Sequence, residues 1–398
     1  MIFKLNLFVI FLFYYIFSIF GGNLIIEETK RAILFFTLLT LLLLINFINL
    51  KIPITIFTVK FFFKNLSFFL YALIVGIISS ILNLLNLYDV LKITLQYLLI
   101  LLYGLSFYHI CLQYKTYMHE FFTYLLNFSL LVIIPSFILY FVDIYFYPDT
   151  SFTVTAFHLK NIFGLPVLEG IFNPVNTIFF AALVLFTIIT KPNLKFGLYY
   201  LFLIAISFAT IFLSTKRSGL LYLFELLLFV FFIQNNKKHI YIFTLLVIIL
   251  IFIFSVNFDF LILGGSLENS FFDSRNHIFI SLTDMFYESP LFGFGLGYHN
   301  FGYHKYSQFS STDSTYVSFL IDTGVFGFIF FIMWVFRFLY TTFKLSIKTS
   351  DYRFIAILIL YFSCALFSDI MNNPSSGFIL FMAFFSFTTA FSFLNSSK

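Results

Sequence analysis

Two arginines in a chain almost free of charge offer the clearest chemistry. The hexapeptide Ser214-Thr215-Lys216-Arg217-Ser218-Gly219 sets adjacent cations between two long apolar runs. A guanidinium is a planar, permanently charged fork of donors that matches phosphate oxygens. Against apolar walls, Arg217 with Lys216 would hold a diphosphate. The same residues also fit a tight turn whose cations snorkel to a membrane edge. Arg275 lies in Phe272-Asp273-Ser274-Arg275-Asn276-His277. After it, Ile278, Phe279, Leu282, Met285 and Phe286 recur at helical spacing, with Ser281, Asp284 and Glu288 opposite. That pattern predicts an amphipathic helix at a membrane interface, ended by Pro290. With Asp273 or Ser274 as N-cap, Arg275 falls in the first turn, where a cation meets the positive end of the helix dipole at a cost of about 0.3–1 kcal/mol. A bound anion reverses that penalty. A pairing with Asp273 or Glu268 would explain the arginine equally well.

Two further segments carry polar groups. Pro290-Leu-Phe-Gly-Phe-Gly-Leu-Gly297 has the glycines of a nucleotide loop, but no strand precedes it, and it is expected to be a flexible reversal. Next to it, Tyr298, His299, Asn300, Tyr303 and His304 can bond sugar hydroxyls or simply line a wet loop. In Ser311-Thr312-Asp313-Ser314-Thr315-Tyr316 and the run that follows, Ser311, Ser314 or Thr315, Ser318 and Asp322 make one polar stripe on a helix beginning near Ser311. Asp313, at the mouth of that helix, suits a general base or an N-cap, and His299 and His304 are reserve candidates for the base. Asp322 lies inside an apolar span, where a carboxylate costs about 2.5–3.5 kcal/mol and needs a partner. No histidine spacing indicates a metal site, and no cofactor is implied.

The elements that position these groups follow from composition. Of 398 residues, 61% are hydrophobic and 10% charged, and the mean hydropathy is +1.03. A soluble domain carries roughly 25% charged residues. Runs of the roughly 20 residues that cross a bilayer occur near 3–21, 32–50, 66–86, 93–112, 121–142, 174–190, 196–214, 219–234, 239–258, 316–340, 354–371 and 376–394. The expected fold is an all-α, polytopic bundle of about twelve spans forming a single membrane domain over residues 1–398. The N-terminal run reads as an uncleaved first span. Cys111 and Cys364 lie in apolar runs and read as small core residues.

With the N-terminus inside, 14 of the 22 Lys and Arg residues fall in inner segments and 8 in outer ones, so both termini are expected in the cytoplasm. The two long connections, 143–173 and 259–315, then face outward, the larger one between spans 9 and 10. Loops of that length are usually functional. The net charge of +5 is explained by these orienting cations, and nucleic acid is not an expected partner.

In this order the segments resemble the O-antigen polymerase and ligase superfamily of bacterial surface-polysaccharide assembly. Gly170-Ile-Phe-Asn-Pro-Val-Asn176 resembles its G-x-F-x-[ND]-P-N segment, Ser214 to Gly219 its S-x-S-R-[ST]-G turn, and Ser289 to Gly297 its S-P-[LI]-x-G-x-G segment. Arg275 and Thr312 to Gly324 fall at the family's other signatures. The resemblance implies transfer of a glycan from undecaprenyl diphosphate without a metal, at the outer face of the cytoplasmic membrane. It implicates Arg217 and Arg275 in holding the diphosphate, with Asn176, Gly295 and Asp322 supporting the site. Lys216, and Val175 between Pro174 and Asn176, depart from the pattern. Ligases of the superfamily place a His-Asn pair where this chain has Asp313-Ser314, which favours a polymerase. The implied partners are undecaprenyl-diphosphate-linked oligosaccharides, the lipid bilayer, a chain-length regulator and a flippase. A ligase acting on lipid A core or protein is the near alternative. A flippase of the same lipid is the distant one, and it would be expected to place its charges at the membrane midplane.

Overall fold

The computed structural model describes residues 5, 6, 8, 9, 28–51, 55–83, 85, 87–115, 120–146, 155–160, 165–168, 174–191, 197–214, 217–233, 285–298, 314–367 and 376–396. Among them are ten helices and one two-stranded antiparallel ribbon. The helices are α1 (Glu28–Asn49), α2 (Ile56–Leu82), α3 (Leu87–Gln113), α4 (Phe121–Phe146), α5 (Pro174–Ile189), α6 (Leu198–Ser214), α7 (Arg217–Ile233), α8 (Thr315–Thr349), α9 (Arg353–Phe367) and α10 (Ser376–Ser396). The ribbon, β1 (Thr155–Lys160) with β2 (Pro166–Leu168), lies between α4 and α5. Ten of the twelve predicted runs therefore coincide with helices, and five helices are long and apolar enough to cross a membrane. The runs at 3–21 and 239–258 fall largely or wholly outside the described residues.

These helices are apolar on the outside as well as the inside. Leu41, Leu44, Leu98, Ile138, Phe326 and Phe336 are all exposed on them. In water such faces would aggregate, whereas in hydrocarbon they are the solvated surface. Association then relies on close packing rather than on escape from water. Trp334 of α8 is fully buried, with its ring centroid 4.9 Å from that of Phe69 on α2 and 5.6 Å from that of Phe381 on α10. Gly104 lets α10 approach α3, and Ser386 Oγ donates to its carbonyl at 2.7 Å.

Several boundaries differ from the sequence expectation. Helix α2 starts ten residues before the predicted run, capped by Thr55, whose hydroxyl accepts from the Thr58 amide at 3.3 Å. Lys60 and Lys64 thus sit on helical turns that extend past the apolar segment, not in a connection. Helix α8 likewise continues to Thr349, carrying Arg337, Lys344 and Lys348, and stops at Ser350 in the left-handed region (φ 54°). The connection expected to begin at residue 143 starts later, because α4 runs on to Phe146 with Asp143 buried in its last turns.

One end of the bundle gathers the C-termini of α2, α4, α6 and α9 with the N-termini of α1, α3, α5, α7, α8 and α10. Tyr140 of α4 fixes the ribbon there by donating to Pro166 O at 2.7 Å. Among the described residues, this end carries Lys30, Arg31, Lys92, Lys160 and Arg217. The opposite end carries Lys51, Lys60, Lys64, Lys115, Lys191, Arg337, Lys344, Lys348 and Arg353, so the cations are unevenly divided.

Candidate functional site

The described parts of the segments singled out in the sequence, Arg217 to Gly219, residues 289–297 and the start of α8, lie at the cation-poor end. Arg217 is the first residue of α7, where free amide groups and the helix dipole favour an anion and a lone cation is disfavoured. Two residues on, Gly219 packs so closely that an added Cβ would stand 2.9 Å from Ile211 Cγ2 of α6 and 3.1 Å from Ile178 Cγ2 of α5. Ile178 is two residues past Asn176, which lies in the first turn of α5. Gly219 of α7 and Ile178 of α5 are thereby brought side by side. Lys216 lies outside the described residues, as do Arg275, His299, His304 and Asp313.

Residues 289–297 are not the flexible reversal their glycines predicted. They form a re-entrant segment stitched between the C-terminal turns of α2 and a break in α8. Gly324 has φ 61° and ψ −169°, which interrupts the helical ladder. The freed carbonyls of Ile321 and Asp322 accept from the amides of Phe294 (2.9 Å) and Gly295 (2.8 Å). The freed amides of Val325 and Phe326 donate to the carbonyls of Pro290 (2.9 Å) and Leu291 (3.1 Å). Broken backbone at membrane depth persists only when its groups are paired in this way. On the α2 side, Ser79 Oγ donates to Gly293 O at 2.5 Å, Asn83 Nδ2 to the same carbonyl at 3.0 Å, and the Leu296 amide to Ser80 Oγ at 3.0 Å.

Two glycines make the junction possible. Gly295 (φ 119°) lies where a Cβ would stand 2.6 Å from Ser80 Cα, and a Cβ on Gly324 would stand 2.5 Å from the Gly293 amide nitrogen. Any other residue would meet both backbone strain and a collision with main chain.

Asp322 has the partner its depth demands. It is fully buried, and its Oδ2 accepts from the Gly297 amide at 2.7 Å. Thr315 and Ser318, above it on the same stripe, are also buried. The helix begins at Thr315, not Ser311, and Ser314 occupies the N-cap position (φ −147°, ψ 126°). Ser314 Oγ donates instead to Ala365 O of α9 at 3.4 Å. Beside the re-entrant segment, Tyr298 stacks on Phe294 with ring centroids 4.5 Å apart. Burial and then the Glu288 carboxylate raise its phenol above the ordinary range, so it remains a neutral hydroxyl. Residues 285–288 are helical, with Met285 buried and Glu288 exposed, as the amphipathic pattern before Pro290 predicts.

Glu225, absent from the sequence expectation, is a carboxylate within the 219–234 run and carries the same signal that marks Asp322. Ser363 Oγ of α9 donates to Glu225 Oε1, while Oε2 is buried with no partner among the described residues. Tyr316 of α8 donates to Phe362 O of α9 at 3.4 Å. Adjacent positions of α9 thus join the helix that begins at Arg217 to the helix that follows Asp313.

Ten helices among the described residues, five of them long and apolar enough to cross a membrane, point to a multi-pass membrane protein. Residues 201–332 match the family model described as O-antigen ligase. This stretch takes in nearly all of α6, all of α7, the re-entrant segment and the upper part of α8, about a third of the chain. It holds both the 214–219 turn and the Gly293–Gly324 junction, while the 170–176 segment precedes it. A search of curated proteins finds no match.

Proposed function

We propose that the protein is a polysaccharide polymerase that joins undecaprenyl-diphosphate-linked oligosaccharide units at the outer face of the cytoplasmic membrane. The coarser statement, an enzyme of the O-antigen polymerase and ligase type, follows from the match over residues 201–332. The observation that carries the finer reading is the gathering, at one end of the bundle, of the Arg217 helix start, the re-entrant segment and the N-terminus of α8. The excess of cations at the opposite end supports an outward-facing site.

In this reading, Arg217 and Arg275 bind the diphosphate of the donor. The glycosyl C–O bond breaks with charge accumulating on the diphosphate, which guanidinium groups stabilise without protonating it. Asp313 takes the proton of the acceptor hydroxyl, with His299 or His304 as the reserve base. A flippase and a chain-length regulator would act before and beside it.

A ligase is the second reading, and the description of the matched family favours it. Against it stands Asp313-Ser314 in place of the ligase His-Asn pair. The two differ in acceptor. Purified protein given only the lipid-linked repeat unit is expected to yield a ladder of longer lipid-linked glycans. Product formed solely after addition of lipid A core or an acceptor protein would sink the polymerase reading.

A further inference from the structure

Glu225 lies about two turns into α7, among helices that otherwise carry no acid: α5, α6 and α9 contain no Asp or Glu, and α7 contains no other. An apolar residue would cost less at that depth. The single bond from Ser363 Oγ to Glu225 Oε1 leaves Oε2 buried without a partner among the described residues. A half-paired carboxyl is a poor source of stability. What the bond supplies is direction. Apolar helix faces can slide on one another, whereas a hydrogen bond between two particular atoms fixes the axial register and rotation of one helix against the next.

Helix α9 packs against both α7 and α8. Its Phe362 O accepts from Tyr316 Oη, and its Ala365 O from Ser314 Oγ, each at 3.4 Å, so both bonds hold the very start of α8. Ser363, between those two positions, holds α7. One stretch of α9, residues 362–365, thereby sets α7 and the N-terminus of α8 in a common frame. Gly219 fixes how closely the first turn of α7 approaches Ile178 and Ile211. Glu225, eight residues after Arg217 and so about 12 Å along the helix, fixes how far along its axis that turn stands. A slip of one residue would move the helix start by about 1.5 Å and rotate it by about 100°. Misplacement of about 1 Å at a reacting centre can lower a rate about 10²-fold.

We propose that Glu225, through Ser363, is a positioning residue that keeps the Arg217 end of α7 in register with the N-terminus of α8. The role rests on the reading in which Arg217 binds the donor diphosphate and the base lies just before α8. It adds to that reading a group within the membrane that touches neither donor nor acceptor.

The test is steady-state transfer from the lipid-linked repeat unit by the full chain in detergent, to whichever acceptor the parent uses, together with donor binding and thermal unfolding. Glu225→Leu is expected to lower kcat about tenfold, with KM and the stoichiometry of donor binding unchanged, because the donor is held but misaligned. Its unfolding temperature should not fall, since an apolar residue replaces a half-paired carboxyl. Glu225→Gln keeps an acceptor for Ser363 and should stay within about twofold of the parental kcat. Ser363→Ala should reproduce the loss, and the two losses combined should fall no further than the larger one alone. Parental kcat in Glu225→Leu, or a loss of kcat that comes with a lower unfolding temperature or with lost donor binding, would overturn the positioning role and leave the functional reading standing. A parent that transfers glycan to no acceptor would overturn the functional reading and the positioning role with it. Should Glu225→Leu fail to fold, Ser363→Ala decides the matter: parental kcat in that variant refutes the role.

Discussion

The amide of Gly297 donates to Asp322 Oδ2 at 2.7 Å, although the two residues reach this contact from different elements. The bond closes a junction in which a glycine-rich segment supplies the hydrogen bonds that a broken helix lost.

Asp322→Ala would strand the buried Gly297 amide, at a cost of about 1–3 kcal/mol. We expect a lower unfolding temperature in detergent, whereas Asp322→Asn, which keeps an acceptor, should retain most of the stability. Equal melting of alanine variant and parent would show that the bond contributes nothing.

Gly324→Ala meets both a left-handed φ and the backbone of residues 291–293. Strain of this kind is worth about 1–3 kcal/mol before the collision is counted. The variant should lose chain lengthening and expose the segment around Phe294 to limited proteolysis; intact activity and parental cleavage would argue against a tight junction.

Arg217→Ala and Arg275→Ala should each lower turnover by about 10²–10³-fold, the usual loss when one donor to a developing anion is removed. Lysine at either position should restore little of it, because an ammonium lacks the planar fork. Normal glycan ladders from cells carrying either alanine variant, with the protein still in the membrane, would remove that arginine from the diphosphate site.

Asp313→Asn should lose about 10²–10⁴-fold in turnover while still binding donor, as expected for a general base. Since Ser314 holds the cap position, loss of helix stability is not the expected effect. Unchanged turnover would move the base to His299 or His304.

Ser266→Cys tests the orientation. Cys111 and Cys364 are both buried, so background labelling should be low. An impermeant thiol reagent should modify the new cysteine in cells whose outer membrane alone has been permeabilised. Labelling that needs rupture of the cytoplasmic membrane would invert the topology.

Much of the helical framework was legible in the chain, because an unbroken apolar run of about twenty residues has few folds open to it in lipid. Helix ends were less legible where an amphipathic turn continues past the apolar core, as at Lys60 and Lys344. Residues 289–297 depart from the sequence expectation for a specific reason. Glycine marks both freedom and close approach, and only the partner distinguishes them. That partner, Gly324, lies in Ile321-Asp-Thr-Gly-Val-Phe-Gly327, which reads as ordinary span. Asp322 announced itself by its cost, and Glu225 should have done so by the same rule. The convergence of Gly219 with Ile178 is purely tertiary, set by how α5, α6 and α7 pack.

The splice between residues 290–297 and 321–326 also shapes how this chain can change over generations. Neither stretch keeps its conformation without the other, so a substitution at Gly293 is judged by the helix and one at Gly324 by the loop. The pair is a single heritable unit, and variation should enter it by paired replacement or not at all.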